Sequence, residues 1–290
     1  MMNIGIFANI KKDIVRSVLP PFLAWLREQN QSVLISRHLA ECLKSDTGSI
    51  RILEREALPG QSDLIVAMGG DGTMLAAARL VGAMEKPVLG VNLGGLGFLA
   101  DVSLDELHAR MTAVFNGHYH IERRMVLRTA ICNQTGIREY HALNDVVLDR
   151  GGSPRVMRID VDIDQSPFTT FYADGVIVST PTGSTAYSLS AWGPIISPVL
   201  ECITVNPICP HSLTERPTVI PPESKIVMRA HAREMEAFLN IDGQVRVPVE
   251  DGATVEVERG AFCIHLVKFS DYSFFDILRK KLQWGSLPRK

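Results

Sequence analysis

The chain has 290 residues, 46% of them hydrophobic and 21% charged, with a formal net charge of -2 at pH 7. That composition excludes acidic disorder, and it lacks the basic excess expected of a general nucleic-acid coat. At roughly 100–200 residues per domain, the length predicts one large domain or two ordinary ones, with cores that need no disulfide staples.

The cysteines, Cys42, Cys132, Cys202, Cys209 and Cys263, form no C-x-x-C pair and are odd in number. Reduced, mostly buried thiols are therefore expected, and no zinc ribbon. His118 and His120 lie close together without a further ligand cluster, so no metal site is expected there. The opening MMNIGIFANIKKD lacks the layout of a signal peptide. No apolar run reaches the about 18 residues that a membrane span needs. The expected compartment is the cytoplasm, with neither nucleic acid nor membrane as partner.

Strand and helix signals alternate over residues 1–117. Asn3–Asn9 reads as a strand. Ile14, Val15, Val18, Leu19, Phe22, Leu23 and Leu26 recur on one helical face, where Pro20 and Pro21 predict a kink or restart. Ser32–Ser36 is a second strand. Asp63–Met68 is a continuous apolar run, as in a strand buried on both faces of a parallel sheet. Thr73–Met84 reads as a helix, Pro87–Asn92 as a strand, and Ser103 with Glu106 as a capping box opening a helix through Phe115. This alternation predicts an α/β domain with a parallel sheet.

Strand signals dominate over residues 118–270: Met125–Cys132, Asp145–Asp149, Arg155–Asp164, Gly175–Ser179, Lys225–Arg229, Thr254–Glu258 and Cys263–Phe269. A β-rich second domain is expected. The tail over 271–290 carries a helical pattern in Asp271–Trp284, expected to pack back on the first domain.

Gly69-Gly70-Asp71-Gly72-Thr73 stands between a buried strand and a helix. Such a turn lets backbone approach a ligand closely, and the helix start favours an anion, so it outlines a phosphate cradle. It is neither a Walker loop nor a Rossmann fingerprint. For Asp71 three roles fit: proton acceptor from an attacking hydroxyl, partner of Mg²⁺ beside phosphates, or helix cap. A second glycine cluster, Gly90–Phe98, follows the next strand and places another loop at the same sheet edge, where ligands of open α/β sheets bind.

In the second half, Asn144-Asp145 suits either two adjacent ribose hydroxyls or a turn. Asp174-Gly175 leads through a strand into Ser179–Ser190, a run of hydroxyls that fits ligand donors or a capped connection. Tyr187 fits stacking on a base or packing. Arg155 fits a phosphate contact or a solvated charge, and Asp242-Gly243-Gln244 fits a hairpin turn.

Together these segments resemble the NAD kinase family. The resemblance rests on GGDGT (Gly69–Thr73), GVNLGGLGFLAD (Gly90–Asp101), Asn144-Asp145, DGVIVSTPTGSTAYSLS (Asp174–Ser190), PICPHSLTERP (Pro207–Pro217) and Asp242–Gln244. It implies transfer of the γ-phosphoryl of ATP, with Mg²⁺ or another divalent cation, to the 2′-hydroxyl of the adenosine ribose of NAD, giving NADP. It places Asp71 as the catalytic acid–base residue, and Gly69, Gly70, Gly72 and Thr73 at the donor phosphates. Asp71 and Gly72, Phe98, Asn144, Asp145, Arg155, Asp174, Thr185, Ala186, Tyr187, Ser188, Leu189, Ser190 and Gln244 fall at NAD-binding positions. No metal ligand is fixed by the motifs, the cation being held mainly by donor phosphates. A homodimer or homotetramer is implied, with the NAD site near a subunit interface. The chain departs from the usual pattern at Asp145, where many members carry Glu, at Tyr172, where some bacterial members carry Arg or another polar residue, and at Trp192, where members typically carry Gly. The alternatives are a lipid or sugar kinase sharing the GGDG turn, and a non-catalytic NAD(P)-binding regulator.

Overall fold

The computed structural model of the chain describes residues 1–43, 50–133, 136–153, 155–231, 236–271 and 273–285. Pro154, Tyr172's distant namesake Tyr272 and the last residues of the tail, 286–290, lie outside them. The chain divides into two compact units, Met1–Arg123 with Ile264–Lys290, and Arg124–Cys263.

In the first unit strands and helices alternate: β1 (Asn3–Ala8), α1 (Ile14–Glu28), β2 (Ser32–Ser36), α2 (Arg37–Leu43), β3 (Arg51–Leu53), α3 (Leu58–Gln61), β4 (Leu64–Gly69), α4 (Asp71–Val81), β5 (Val88–Asn92), β6 (Val102–Ser103) and α5 (Leu107–Phe115). The strands pair in parallel in the order β5–β4–β1–β2–β3, with β6 beside β5. Every residue of β4 is buried, as its unbroken apolar run predicts.

Two local expectations are corrected. Helix α1 is continuous through Pro20 and Pro21, so it does not restart there, and it buries Val15, Leu19, Phe22, Leu23 and Leu26. The amides that the prolines lack would have bonded the carbonyls of Arg16 and Ser17, and both residues are exposed, so water can meet those carbonyls while the apolar stripe holds the helix. The Ser103 hydroxyl does donate to Glu106 Oε2 at 2.7 Å. Yet Glu106, not Ser103, is the residue before the helix, which starts at Leu107. The side-chain pair closes a turn that precedes α5 instead of capping it.

In the second unit antiparallel pairing prevails. Its strands are β7 (His120–Asn133, which begins in the first unit), β8 (Gly136–Ala142), β9 (Asp145–Asp149), β10 (Met157–Ile163), β11 (Ser166–Ala173), β12 (Gly175–Ser179), β13 (Ile203–Ile208), β14 (Thr218–Ile220), β15 (Ile226–His231), β16 (Ala237–Ile241), β17 (Val245–Val249) and β18 (Thr254–Lys268), with a short helix α6 (Tyr187–Ser190) after β12. One sheet runs β14–β13–β12–β9–β16–β17; the other carries β11–β10–β15–β18, with β7 on β18 and β8 on β7. Residues of both sheets, among them Leu127, Val146, Ile159, Val178, Leu239 and Val255, form one core.

Strand β18 is continuous where the sequence predicts two strands. Gly260 lies inside the strand, between the two predicted pieces. A Cβ there would stand 2.6 Å from Val126 Cγ2, so the glycine serves a close approach to β7. The cysteines are free, but Cys263 alone is buried, Cys209 is exposed and the rest are intermediate, against the expectation of mostly buried thiols. Cys42, Cys132, Cys202 and Cys209 sit at or next to the ends of elements.

The end of β18 belongs to the first unit, where Leu266 pairs in parallel with Val88 of β5, and Val267 and Phe269 join the core. Helix α7 (Phe274–Leu282) follows, begun by the Ser273 hydroxyl accepting from the Phe275 N–H and held by buried Ile277 and Leu278. It is shorter at both ends than the helical pattern of the tail. Lys268 Nζ lies 2.7 Å from Asp101 Oδ2, and the two side chains are only 8% and 5% exposed. This pair pins the end of the second glycine loop. Removing one member strands a buried charge, so Asp101→Ala is expected to lose about 3–5 kcal/mol of stability in urea unfolding. An unchanged midpoint would show that the pair does not hold the loop.

Candidate active site

The first glycine turn leaves β4 at Gly69 and enters α4 directly. Gly70 caps the helix in an extended conformation, φ -135°. Its N–H donates to Thr73 Oγ1 at 3.5 Å, and its carbonyl accepts from the Thr73 and Met74 amides. The helix therefore begins at Asp71, two positions before the predicted start at Thr73. Asp71 is its first residue and not its cap, which sets aside the capping role.

The Asp71 carboxylate is bound by the second glycine loop. Oδ2 accepts from the Phe98 N–H at 3.0 Å, and Oδ1 from the Leu99 and Ala100 N–H groups at 2.9 and 3.3 Å. Lys281 Nζ of α7 donates to Oδ2 at 3.3 Å. A Cβ on Gly97 would lie 2.3 Å from Oδ1, so glycine is what lets the loop close on the carboxylate. The loop is tied from within: the Asn92 side chain donates to the Gly95 carbonyl and accepts from the Gly94 N–H. Burial works to raise the pKa of Asp71, but the amides of Phe98 and Leu99, the Lys281 charge and the Ala100 amide together hold it below its ordinary value.

Beside Gly70, Gly72 and Thr73 opens a cavity of about 620 Å³ whose other walls include Asn9, Lys11, Lys12, His38 and Arg55. Arg55 also lies over the Phe7 ring, 4.8 Å from its centroid. These residues were not singled out in the sequence. The signal that finds them is position: Lys11 and Lys12 follow β1, and His38 and Arg55 follow β2 and β3, at the same edge of a parallel sheet as the glycine turn. A helix start, close backbone and a cationic wall together suit a polyanion.

In the second unit Asn144 and Asp145 open β9. Asp242, the first residue of the loop between β16 and β17, accepts from the Leu143, Asn144 and Asp145 N–H groups at 3.0, 2.7 and 3.2 Å. Asp242 and Gly243 both have positive φ, 51° and 61°, as the expected hairpin turn requires. Its carboxylate thus has a second task, fixing the backbone of Asn144-Asp145. Asp145 is buried, and that burial first, then the Asp242 charge, push its pKa up to about 7 against the Tyr187 N–H, which lowers it. Asn144, Asp145, Ala186, Tyr187, Asn240 and Asp242 line a cavity of about 290 Å³. Asp174, paired with Arg150 at 2.7 Å, lines another of about 440 Å³ together with Tyr187 and Arg246. Tyr187 and Ser190 line a third of about 570 Å³.

The hydroxyl run is spent mostly on the fold. Ser179 donates to the Asn144 carbonyl, Thr180 to that of Leu143, and Ser184 to that of Pro181. Ser188 is fully buried, facing the Asn206 amide. Gly183 fits because a Cβ would stand 2.1 Å from the Asn144 carbonyl oxygen. Of the run, Tyr187 and Ser190 are exposed, while Thr185, Ala186 and Leu189 are half-buried. Gln244 is exposed beside the cavity-lining Gly243, and Arg155 is exposed and lines none of these cavities. Phe98 sits under Lys281, whose Nζ is 4.4 Å from the ring centroid. Trp192 is 91% exposed. It adopts φ 64°, a left-handed conformation that favours glycine.

An amide-held carboxylate at the mouth of a phosphate-type turn, in an α/β unit joined to a β-sandwich, defines a kinase of the nucleotide-using kind. The family models of the ATP-NAD kinase N-terminal and C-terminal domains match residues 4–119 and 143–269. A protein of Geobacter sulfurreducens described as an NAD kinase is 40% identical over 286 residues, covering 98% of this chain and 99% of its own. The crystal structure of yeast NADH kinase complexed with NADH superimposes with a TM-score of 0.89 at 29% identity, over 100% of this chain and 89% of that one. An NAD kinase from Archaeoglobus fulgidus in complex with ATP has the same fold, with a TM-score of 0.75 at 24% identity, over 97% and 99% of the two chains. The chain belongs to the NAD kinase family, which sets aside the lipid kinase, sugar kinase and non-catalytic alternatives.

The state of Asp145 has a measurable consequence. Its pKa is raised on folding, so between about pH 4 and 7 the folded chain keeps a proton that the unfolded chain has lost, and stability falls as pH rises through that window. Asp145→Asn keeps an acceptor for the Tyr187 N–H and removes the ionisation. The variant is expected to unfold at a higher temperature than the parent at pH 8, with the difference fading toward pH 4. An equal difference at both pH values would contradict a buried, protonated carboxyl.

Proposed function

We propose that the chain transfers the γ-phosphoryl of ATP to the 2′-hydroxyl of the adenosine ribose of NAD, giving NADP and ADP, with Asp71 as the proton acceptor. The observation that carries this reading is the amide-held Asp71 carboxylate next to a cation-lined cavity at the glycine turn. The first unit supplies the donor cradle through Gly69, Gly70, Gly72 and Thr73, joined by Lys11, Lys12, His38 and Arg55. The second unit supplies groups for the dinucleotide. NADH bound in the yeast neighbour supports a dinucleotide acceptor.

The ribose oxygen forms a bond to the γ-phosphorus as the bridge to the β-phosphate breaks, and the hydroxyl proton passes to Asp71. In a loose transition state that proton becomes acidic late, as the new O–P bond forms. A carboxylate of low basicity is then adequate, provided it is ionised and aimed. Asp71 meets both conditions, because fixed amides hold its charge. Asn144 offers a donor and an acceptor to the ribose, and Asp242 fixes its backbone. Tyr187, Ser190, Asp174 and Ala186, at the mouths of the three cavities, offer stacking and polar contacts to the rest of NAD. Phe98, Thr185, Leu189 and Gln244 are assigned supporting contacts; Ser188 and Asp145 act from within, Ser188 under Asn206 and Asp145 on the Tyr187 amide.

No group of three or more His, Cys, Asp or Glu side chains is placed to hold a metal among the described residues. We assign the divalent cation to the donor phosphates, beside the Asp71 carboxylate, where it would supply charge neutralisation. No helix among the described residues is long and apolar enough to cross a membrane, and we place the enzyme in the cytoplasm. Exposed Trp192, Leu213 and Val199 in the second unit support assembly as a homodimer or homotetramer.

Asp71→Asn is expected to fold as the parent does and to lose on the order of 10²–10⁴-fold in kcat, read by NADP formation in a coupled dehydrogenase assay. Near-parental turnover would reject the base. Asn144→Ala is expected to raise KM for NAD more than KM for ATP, and the reverse order would reject the ribose contact.

A further inference from the structure

Helix α7 brings a charge to the base from far along the chain. We propose that Lys281 is a positioning residue of phosphoryl transfer: it holds the one displaceable contact on the Asp71 carboxylate and offsets that carboxylate's charge when a polyanionic donor binds. This rests on the reading of Asp71 as the proton acceptor.

The geometry supports it in three ways. A carboxylate presents about four lone-pair sites. The amides of Phe98, Leu99 and Ala100 take three contacts, and Lys281 Nζ, 3.3 Å from Oδ2, takes the fourth. The amides are fixed in their loop, whereas the lysine ends a flexible stem, so the acceptor hydroxyl enters where the ammonium now stands. The stem is also guided: Nζ lies over the Phe98 ring, and that ring contacts Phe274 at the start of the same helix, with centroids 6.4 Å apart. Finally, Asp71 next to a triphosphate is a negative group beside a larger one. Three amide dipoles soften that repulsion, and a full positive charge that stays within reach of both removes more of it. Lys281 is the charged side chain facing Asp71, the loop contributing backbone N–H groups. The Lys281 and Asp71 side chains are each 31% exposed, so room exists for the ammonium to shift.

The test compares Lys281→Met, Lys281→Arg, Lys280→Met and Asp71→Asn in the full chain, with thermal unfolding as the control for folding. Lys280 is exposed on the same helix. Lys281→Met is expected to raise KM for ATP about tenfold, the effect of one partly screened unit charge at contact distance, and more at low salt. KM for NAD does not rise, because the hydroxyl displaces the ammonium and does not bind to it. The acidic limb of kcat moves to higher pH, since Asp71 loses a cation that favours its charged form. Lys281→Arg restores most of the donor KM, and Lys280→Met behaves as the parent. A Lys281→Met enzyme with parental donor KM and an unmoved acidic limb overturns the proposal, as does a Lys280→Met enzyme equally impaired. If Asp71→Asn itself turns over normally, the base assignment fails instead, whatever Lys281 does.

Discussion

The carboxylate of Asp71 accepts from three consecutive amides of the second glycine loop, the first of them 27 residues further on. Much of the first unit is arranged around that contact. β4 and β5 run side by side in parallel, so the loops that leave their ends meet at one edge of the sheet. Gly97 allows the approach, Asn92 shapes the loop from inside, and the buried Asp101–Lys268 pair closes it. The β18 segment that carries Lys268 also leads into α7, which returns Lys281 to the same carboxylate. Backbone donors are a suitable support for a base that must stay ionised. They do not titrate, they cannot rotate away, and they leave the charge in place when substrate arrives.

The two carboxylates at the start of β9 and in the Asp242 turn are managed in the opposite way. Asp242 is given backbone amides, and Asp145, buried beside it, is pushed toward its neutral form. Within one chain, acids are thus assigned contrasting charge states by the count of amides facing them and by burial. Asp71 is held as an anion for chemistry, and Asp145 is held close to neutrality as part of a support.

Much of this architecture is legible in the sequence, because apolar runs and glycine turns report local constraints. β2, β9 and β12 fall at their predicted bounds, and β4 reads as buried since no polar residue interrupts it. Where reading by pattern fails, tertiary contacts decide. Pro20 and Pro21 do not break α1, because a buried stripe holds it and the freed carbonyls face water. Gly260 does not end β18, because its task is close approach to β7. The Ser103–Glu106 pair forms ahead of the helix that it was expected to cap. The hydroxyls after β12 look like ligand donors in a linear reading, yet most are engaged within the fold, by backbone carbonyls or by the Arg124 and Asn206 side chains. Polar side chains that converge on the glycine turn from three separate strand ends, and Lys281 from the last helix, carry no local signature at all.

The central claim is a charge state. Carbon-13 NMR of labelled aspartate carboxyls, with the Asp71 signal assigned by its loss in Asp71→Asn, reads that state directly. The account predicts that Asp71 titrates below its ordinary value of 3.8 in the ligand-free enzyme. A carboxyl that takes up its proton at or above that value would contradict the view that loop amides hold an ionised base in readiness.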